Sequence, residues 1–138
     1  MSLCIASAGS IMTLLAGSFS LSWTHSVEKN TWMERWQVEG DRLALVWASV
    51  EGSGAGIDLP QDAVWEDGRW TYRPSLPPLT RLNLAASGAT VGGWQFCADG
   101  KCQELGAKAG EAVSIWAADV CDPALEGDAQ RIADPRIQ

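Results

Sequence analysis

From residue 18 the chain alternates strictly, with Phe19, Leu21, Trp23 and His25 set against Ser18, Ser20, Ser22 and Thr24. Successive side chains of a strand point to opposite faces, so this pattern predicts a half-buried strand with its apolar face on the odd positions. The alternation returns with Trp32, Glu34, Trp36 and Val38 facing away from Thr31, Met33, Arg35 and Gln37. Gly40-Asp41 then turns the chain into residues 43–50, apolar on both faces, which reads as a central strand. Two Asp-Gly pairs follow, the strongest short hairpin signal. A turn at Asp67-Gly68 sets Glu66 opposite Arg69 and Trp65 opposite Trp70. A turn at Asp99-Gly100 sets Ala98 opposite Lys101 and Cys97 opposite Cys102. Between them Pro74, Pro77 and Pro78 break the chain before a strand at 81–85, and residues 112–117 form the last.

No segment carries a helical apolar stripe over ten or more positions. Short strands with frequent turn signals predict an all-β fold, a single antiparallel β-sandwich or barrel of about 8–10 short strands. The domain is expected to span 1–121. Residues 122–138 hold Asp122, Glu126, Asp128 and Asp134 against Arg131 and Arg136, with little apolar content, and read as a flexible acidic tail.

No charged residue precedes Glu28, which invites a signal-peptide or membrane reading of the first residues. There is no positive n-region, however, and Ser7, Gly9, Ser10, Thr13, Gly17, Ser18 and Ser20 interrupt the apolar run. Two strands, 3–7 and 11–16, split by Ala8-Gly9-Ser10, fit that punctuation better, so no transmembrane span is expected.

Composition narrows the function. Ten Lys and Arg against 17 Asp and Glu leave a net charge of −7 among 138 residues. That balance argues against nucleic acid and against electrostatic docking on anionic lipid, both of which need clustered cations. Eight Trp accompany one Tyr and two Phe. Most should be core filler, with one or two exposed. The four cysteines, Cys4, Cys97, Cys102 and Cys121, permit two disulfides in any of three connectivities, or four reduced thiols. Cys97 and Cys102 sit opposite each other behind a turn, near disulfide range. Cys4 and Cys121 lie near the two ends of the core, where edge strands from both ends can meet. A zinc site is disfavoured, since no Cys-x-x-Cys occurs and the single His is remote. Neither a cofactor nor a metal is expected.

The densest polar cluster is His25, Ser26, Glu28 and Lys29, where the first long strand ends, with Glu34 on the next strand. A His flanked by carboxylates would have a raised pKa and would serve as base or ligand. The competing reading is a turn in which His25 caps a strand end, Ser26 bonds the backbone and Glu28 pairs in solvent. Residues 52–56, with Gly52, Gly54 and Gly56, lack the Lys-Ser/Thr end of a phosphate loop, so conformational freedom explains the glycines better. Trp32 and Trp36 share a face with Glu34, where aromatic rings stack sugars or other flat ligands, although core filling is the commoner use. No nucleophile elbow is present.

Phe19-x-Leu-x-Trp-Thr-His-Ser-Val-Glu-Lys29, then Trp32-x-Glu-x-Trp36, then the Gly52–Gly56 run resemble the family termed domain of unknown function 1850. Pro77-Pro78, Ser87-Gly88-Ala89-Thr90 and Gly93-Trp94-Gln95-Phe96-Cys97 resemble it too, so that the likeness runs over about residues 3–121. The resemblance implies a small protein without established activity, often encoded beside TAXI-type TRAP solute transporters and often preceded by a membrane anchor. It marks His25, Ser26, Glu28, Glu34, Gly52, Gly54 and Gly56 as site candidates, and transporter components as partners. It implies a periplasmic or membrane-associated location, whereas the missing signal peptide points to the cytoplasm. The function implied is a non-enzymatic accessory domain acting through partner or solute contact. The alternative is a ligand- or metal-binding protein, even an enzyme, using His25, Glu28 and Glu34.

Overall fold

The computed structural model describes residues 1–7, 9–24, 30–52, 59–86, 91–107, 110–122 and 132–133. Two sheets pack face to face. The smaller is built from β1 (Ser2–Ser7), β2 (Ser10–Leu14), β8 (Leu82–Leu84), β11 (Val113–Ala118) and β12 (Ile132–Ala133), in the order β12-β8-β11-β1-β2. The larger comprises β3 (Ser18–Thr24), β4 (Thr31–Glu39), β5 (Arg42–Glu51), β6 (Val64–Glu66), β7 (Arg69–Tyr72), β9 (Val91–Ala98) and β10 (Lys101–Leu105), in the order β10-β9-β3-β4-β5-β7-β6. Every pairing is antiparallel except the short β12–β8 contact. The fold is therefore the all-β sandwich of the two expected architectures. Its described strands number twelve rather than eight to ten; β6 and β8 follow from the Asp67-Gly68 turn and the 81–85 segment, whereas β12, of two residues, is too short to show as periodic pattern.

The core forms where the alternating apolar positions of both sheets meet. Phe19, Leu21, Trp23, Trp32, Trp36, Trp94 and Phe96 from the larger sheet pack against Leu3, Ile5, Leu82, Leu84, Val113 and Ile115 from the smaller. Phe19 stacks between Trp36 and Phe96, at centroid distances of 6.2 and 5.4 Å. Strand β5 lies between β4 and β7 as a central strand should. Its two-faced apolar character has a specific cause. Arg35 pairs with Trp47 but Trp36 with Leu45, so Val46 is an extra residue that shifts the parity of the strand.

The termini are joined within the smaller sheet. β1 pairs with β11, setting Cys4 opposite Trp116, and a disulfide links Cys4 to Cys121. The two strands meet as interior neighbours, flanked by β2 and β8, and not as edge strands. Away from the core, Arg81 donates to Asn83 Oδ1 at 3.2 Å and to Ser114 Oγ at 2.7 Å, and its guanidinium lies over the Trp116 ring. Burial of that guanidinium lowers its pKa from the ordinary arginine value. The acidic-tail reading falls almost wholly outside the described residues, apart from Asp122 and strand β12.

Candidate functional site

One end of the larger sheet collects the segments singled out in the sequence. Thr24 and Thr31 form the last rung of β3 and β4, and Thr24 also pairs with Val91 at the start of β9. Trp32 pairs with Val50, so Thr31 comes level with Glu51 on β5. Side-chain bonds tie these ends together. Asn30 Nδ2 donates to the Glu51 carbonyl at 3.1 Å, and the Thr31 N–H donates to Glu51 Oε1 at 3.3 Å. The Gly52 N–H donates to the Gly68 carbonyl at 2.9 Å, which brings the tip of the β6–β7 hairpin to the same place. Segments 25–29, 53–58 and 87–90 leave from or return to these strand ends. His25, Ser26, Glu28, Lys29, Gly54 and Gly56 themselves lie outside the described residues. Gly52 lies within them, with φ +85°, a left-handed conformation that suits glycine.

Glu34 sits three residues inside this end, between Leu21 and Ala48 on the neighbouring strands. It is only 4% exposed, and its Oε1 accepts a hydrogen bond from Trp36 Nε1 at 3.2 Å. A carboxylate is costly to bury without such donors. Above it, Trp23 and Trp32 stack at 6.1 Å and 8° between planes, and Trp94 leans on Trp23 at 4.7 Å. The indole N–H groups of Trp23 and Trp32 are buried and unpartnered. The arrangement is an aromatic layer around one acceptor, with two buried unused donors within it.

The sequence placed Glu34, Trp32 and Trp36 on one face correctly, and that face is the interior. A stacking surface at Trp32 and Trp36 is not what results, since both rings fill the core, Trp36 with no exposure at all. The outward aromatics are others. Trp65 is half exposed on β6, and Trp47 lies beneath the Arg35 guanidinium at 4.7 Å on the outer face of the larger sheet. Arg35 and Trp47 face each other across β4 and β5, a pairing hidden by the bulge.

All four cysteines are consumed in disulfides, Cys4–Cys121 and Cys97–Cys102. Among the described residues no three His, Cys, Asp or Glu side chains gather as a metal site. No helix among those residues is long and apolar enough to cross a membrane.

The sequence model of a family described as a domain of unknown function (DUF1850) matches residues 19–105. The chain belongs to this family. Comparison with curated proteins and with solved structures returns no match. The matched stretch is narrower than 3–121 and has a structural meaning. It contains the seven strands of the larger sheet, but for Ser18 of β3, plus β8, and leaves out β1, β2, β11 and β12. The DUF1850 match thus encloses the Glu34 end and the Cys97–Cys102 hairpin, but not the Cys4–Cys121 bond. Several positions quoted for the family likeness have evident structural duties. Phe19, Leu21, Trp23, Trp94 and Phe96 are core residues, and Cys97 is cross-linked. Glu34 is different, being a buried carboxyl group among them.

Proposed function

We propose that this DUF1850 protein is a non-enzymatic accessory domain of a TAXI-type TRAP solute transporter, acting by contact with a transporter component or its solute. The transporter comes from the family resemblance. The observation that carries the contact site is the gathering, at one end of the larger sheet, of the strand ends that flank 25–29, 53–58 and 87–90, linked by Asn30, Glu51 and Gly52. Loops carried on a rigid sheet are the usual place for recognition. His25, Ser26, Glu28 and Lys29 of the flanked segment 25–29, and Gly54 and Gly56 of 53–58, are with Gly52 the candidate contact residues.

The test is affinity capture of tagged protein from gently solubilised native membranes, probed for the transporter's membrane and solute-binding subunits. Wild type recovers them and His25→Ala loses them while keeping its melting temperature. Failure of both to recover any transporter subunit overturns the reading.

A second reading is favoured by the buried unpartnered indole donors of Trp23 and Trp32, on the same face of the larger sheet as Glu34. Here a small acceptor-bearing ligand binds with His25, Glu28 and Glu34. It requires a ligand-dependent rise in melting temperature, abolished by His25→Ala. Absence of any such rise across a panel of carboxylate solutes and divalent metals removes it.

A further inference from the structure

We propose that the Cys97–Cys102 disulfide is a thiol–disulfide exchange site, which a dithiol reductant opens while the domain stays folded. The two bonds of this protein sit in opposite settings. Cys4–Cys121 spans 117 positions, ties the first strand to the end of the last long one, and begins at a sulfur-bearing residue with no exposure. Cys97–Cys102 spans five positions and joins strands already paired at five successive rungs behind an Asp-Gly turn. A loop so short removes less freedom from the unfolded chain than one of 117 positions, so this bond contributes the smaller share of fold stability. What distinguishes it is access.

Cys102 is exposed and Cys97 half-buried. Strand β10 is an edge of the larger sheet, so among the described residues no further strand lies beyond Cys102 on the side away from Cys97. Displacement at sulfur needs a path to the attacked atom, and of the two residues Cys102 is the more exposed. Cys102 also borders a groove of about 340 Å³ between the free edges β2 and β10, walled by Met12, Leu14, Leu15 and Phe96. Cys97 borders another of about 410 Å³ on the outer face of the sheet, with Ser18, Ser20, Arg35 and Asp99. A thiol-bearing segment therefore has room beside Cys97 on the outer face and along the β10 edge that carries Cys102.

In the reaction the thiolate of the reductant attacks Cys102 Sγ. The Cys97–Cys102 bond breaks, an S–S bond forms between reductant and Cys102, and Cys97 leaves as thiolate and takes up a proton. The second thiol of the reductant then attacks the reductant's own sulfur in the mixed disulfide and releases Cys102. The reductant ends as a disulfide, having given up two electrons, and the protein holds two thiols.

The oxidised protein is incubated under native conditions with dithiothreitol or a thioredoxin-type dithiol protein, quenched with an alkylating reagent over time and mapped by mass spectrometry. Cys97 and Cys102 become labelled at least tenfold faster than Cys4 and Cys121, with circular dichroism and tryptophan emission unchanged. Glutathione, a monothiol, leaves its adduct on Cys102. Labelling of Cys4 and Cys121 as fast or faster overturns the proposal. So does loss of the folded signal when Cys97–Cys102 alone is open. The double variant Cys97→Ser, Cys102→Ser supplies the control: it folds and shows no fast phase, and its failure to fold makes the bond a structural staple instead.

Discussion

The larger sheet ends in two hairpins that share a turn and differ in the rung behind it. Asp67-Gly68 joins β6 to β7 and Asp99-Gly100 joins β9 to β10, and in both the Asp and Gly take positive φ, 52° and 79° in the first and 51° and 75° in the second. Two left-handed residues match the twist of the flanking strands. Such a turn makes the first rung a hydrogen-bonded pair and the second a non-hydrogen-bonded one, where side chains come closest. The first rungs are Glu66 with Arg69 and Ala98 with Lys101. At the second, one hairpin carries Trp65 and Trp70, edge to face at 5.4 Å, and the other carries Cys97 and Cys102, bonded, with Cα atoms 4.1 Å apart. A two-residue turn thus fixes which positions face each other, and the residues placed there decide whether the clasp is a contact or a covalent bond.

The largest effect should come from setting the hairpin clasp against the other disulfide. In the chain-entropy account a bond is worth more the longer the loop it closes. Removing Cys4–Cys121 with paired Ser substitutions should cost about 5 kcal/mol, and removing Cys97–Cys102 about 2 kcal/mol. Urea unfolding of the two double variants reads the difference directly. Equal losses would mean that the hairpin bond supports more of the sandwich than its five-residue span accounts for.

A second prediction sharpens the same comparison at the base of the disulfide hairpin. Gly93 has φ +70°, and a Cβ there would lie 2.8 Å from the Ala107 backbone and from the Leu105 carbonyl. The crowding accompanies a break in register between β3 and β9, where Ser22 pairs with Gln95 but Thr24 with Val91. Gly93→Ala should cost about 3 kcal/mol, combining left-handed strain with overpacking. Gly100 has the same sign of φ but open space around it, so Gly100→Ala should cost about 1 kcal/mol. Thermal melts of both variants test whether close approach, rather than backbone sign alone, sets the requirement.

Both hairpins were legible in the sequence because a two-residue turn leaves no freedom of register. Glu34 was legible as a neighbour of Trp32 and Trp36 for the same local reason, an alternation of period two. Its environment was not. Inward and outward faces look alike when Trp lines one side and Met and Arg the other, and only the pairing of distant strands settles the matter. Cys4 meets Cys121 because β1 pairs with β11, more than a hundred residues away, and nothing local encodes that choice. The Arg81, Asn83 and Ser114 network is hidden likewise, since Ser114 is 33 positions from Arg81. Arg35 over Trp47 escaped notice because the bulge at Val46 moves Trp47 to the outer face. The site end was visible as motif but not as place, because Asn30 reaches Glu51 across 21 positions.

The smallest predicted effect concerns the aromatic clasp. Trp65 is half exposed on an edge strand whose three residues are all solvent-facing, so most of what it contributes is its contact with Trp70. Trp65→Ala should therefore cost only about 1 kcal/mol, the scale of an aromatic pair. Its local effect should be larger than that figure suggests. The β6–β7 tip receives the Gly52 N–H through the Gly68 carbonyl, which links this hairpin to the Glu51 end of β5. If the clasp holds the tip in place, amide exchange at Gly52 and Arg69 should quicken in Trp65→Ala by more than global stability falls. Exchange there that changes only in step with global unfolding would show that the turn positions the tip without its aromatic pair. The two hairpins would then differ in kind, one closed by its sulfurs and the other by its backbone alone.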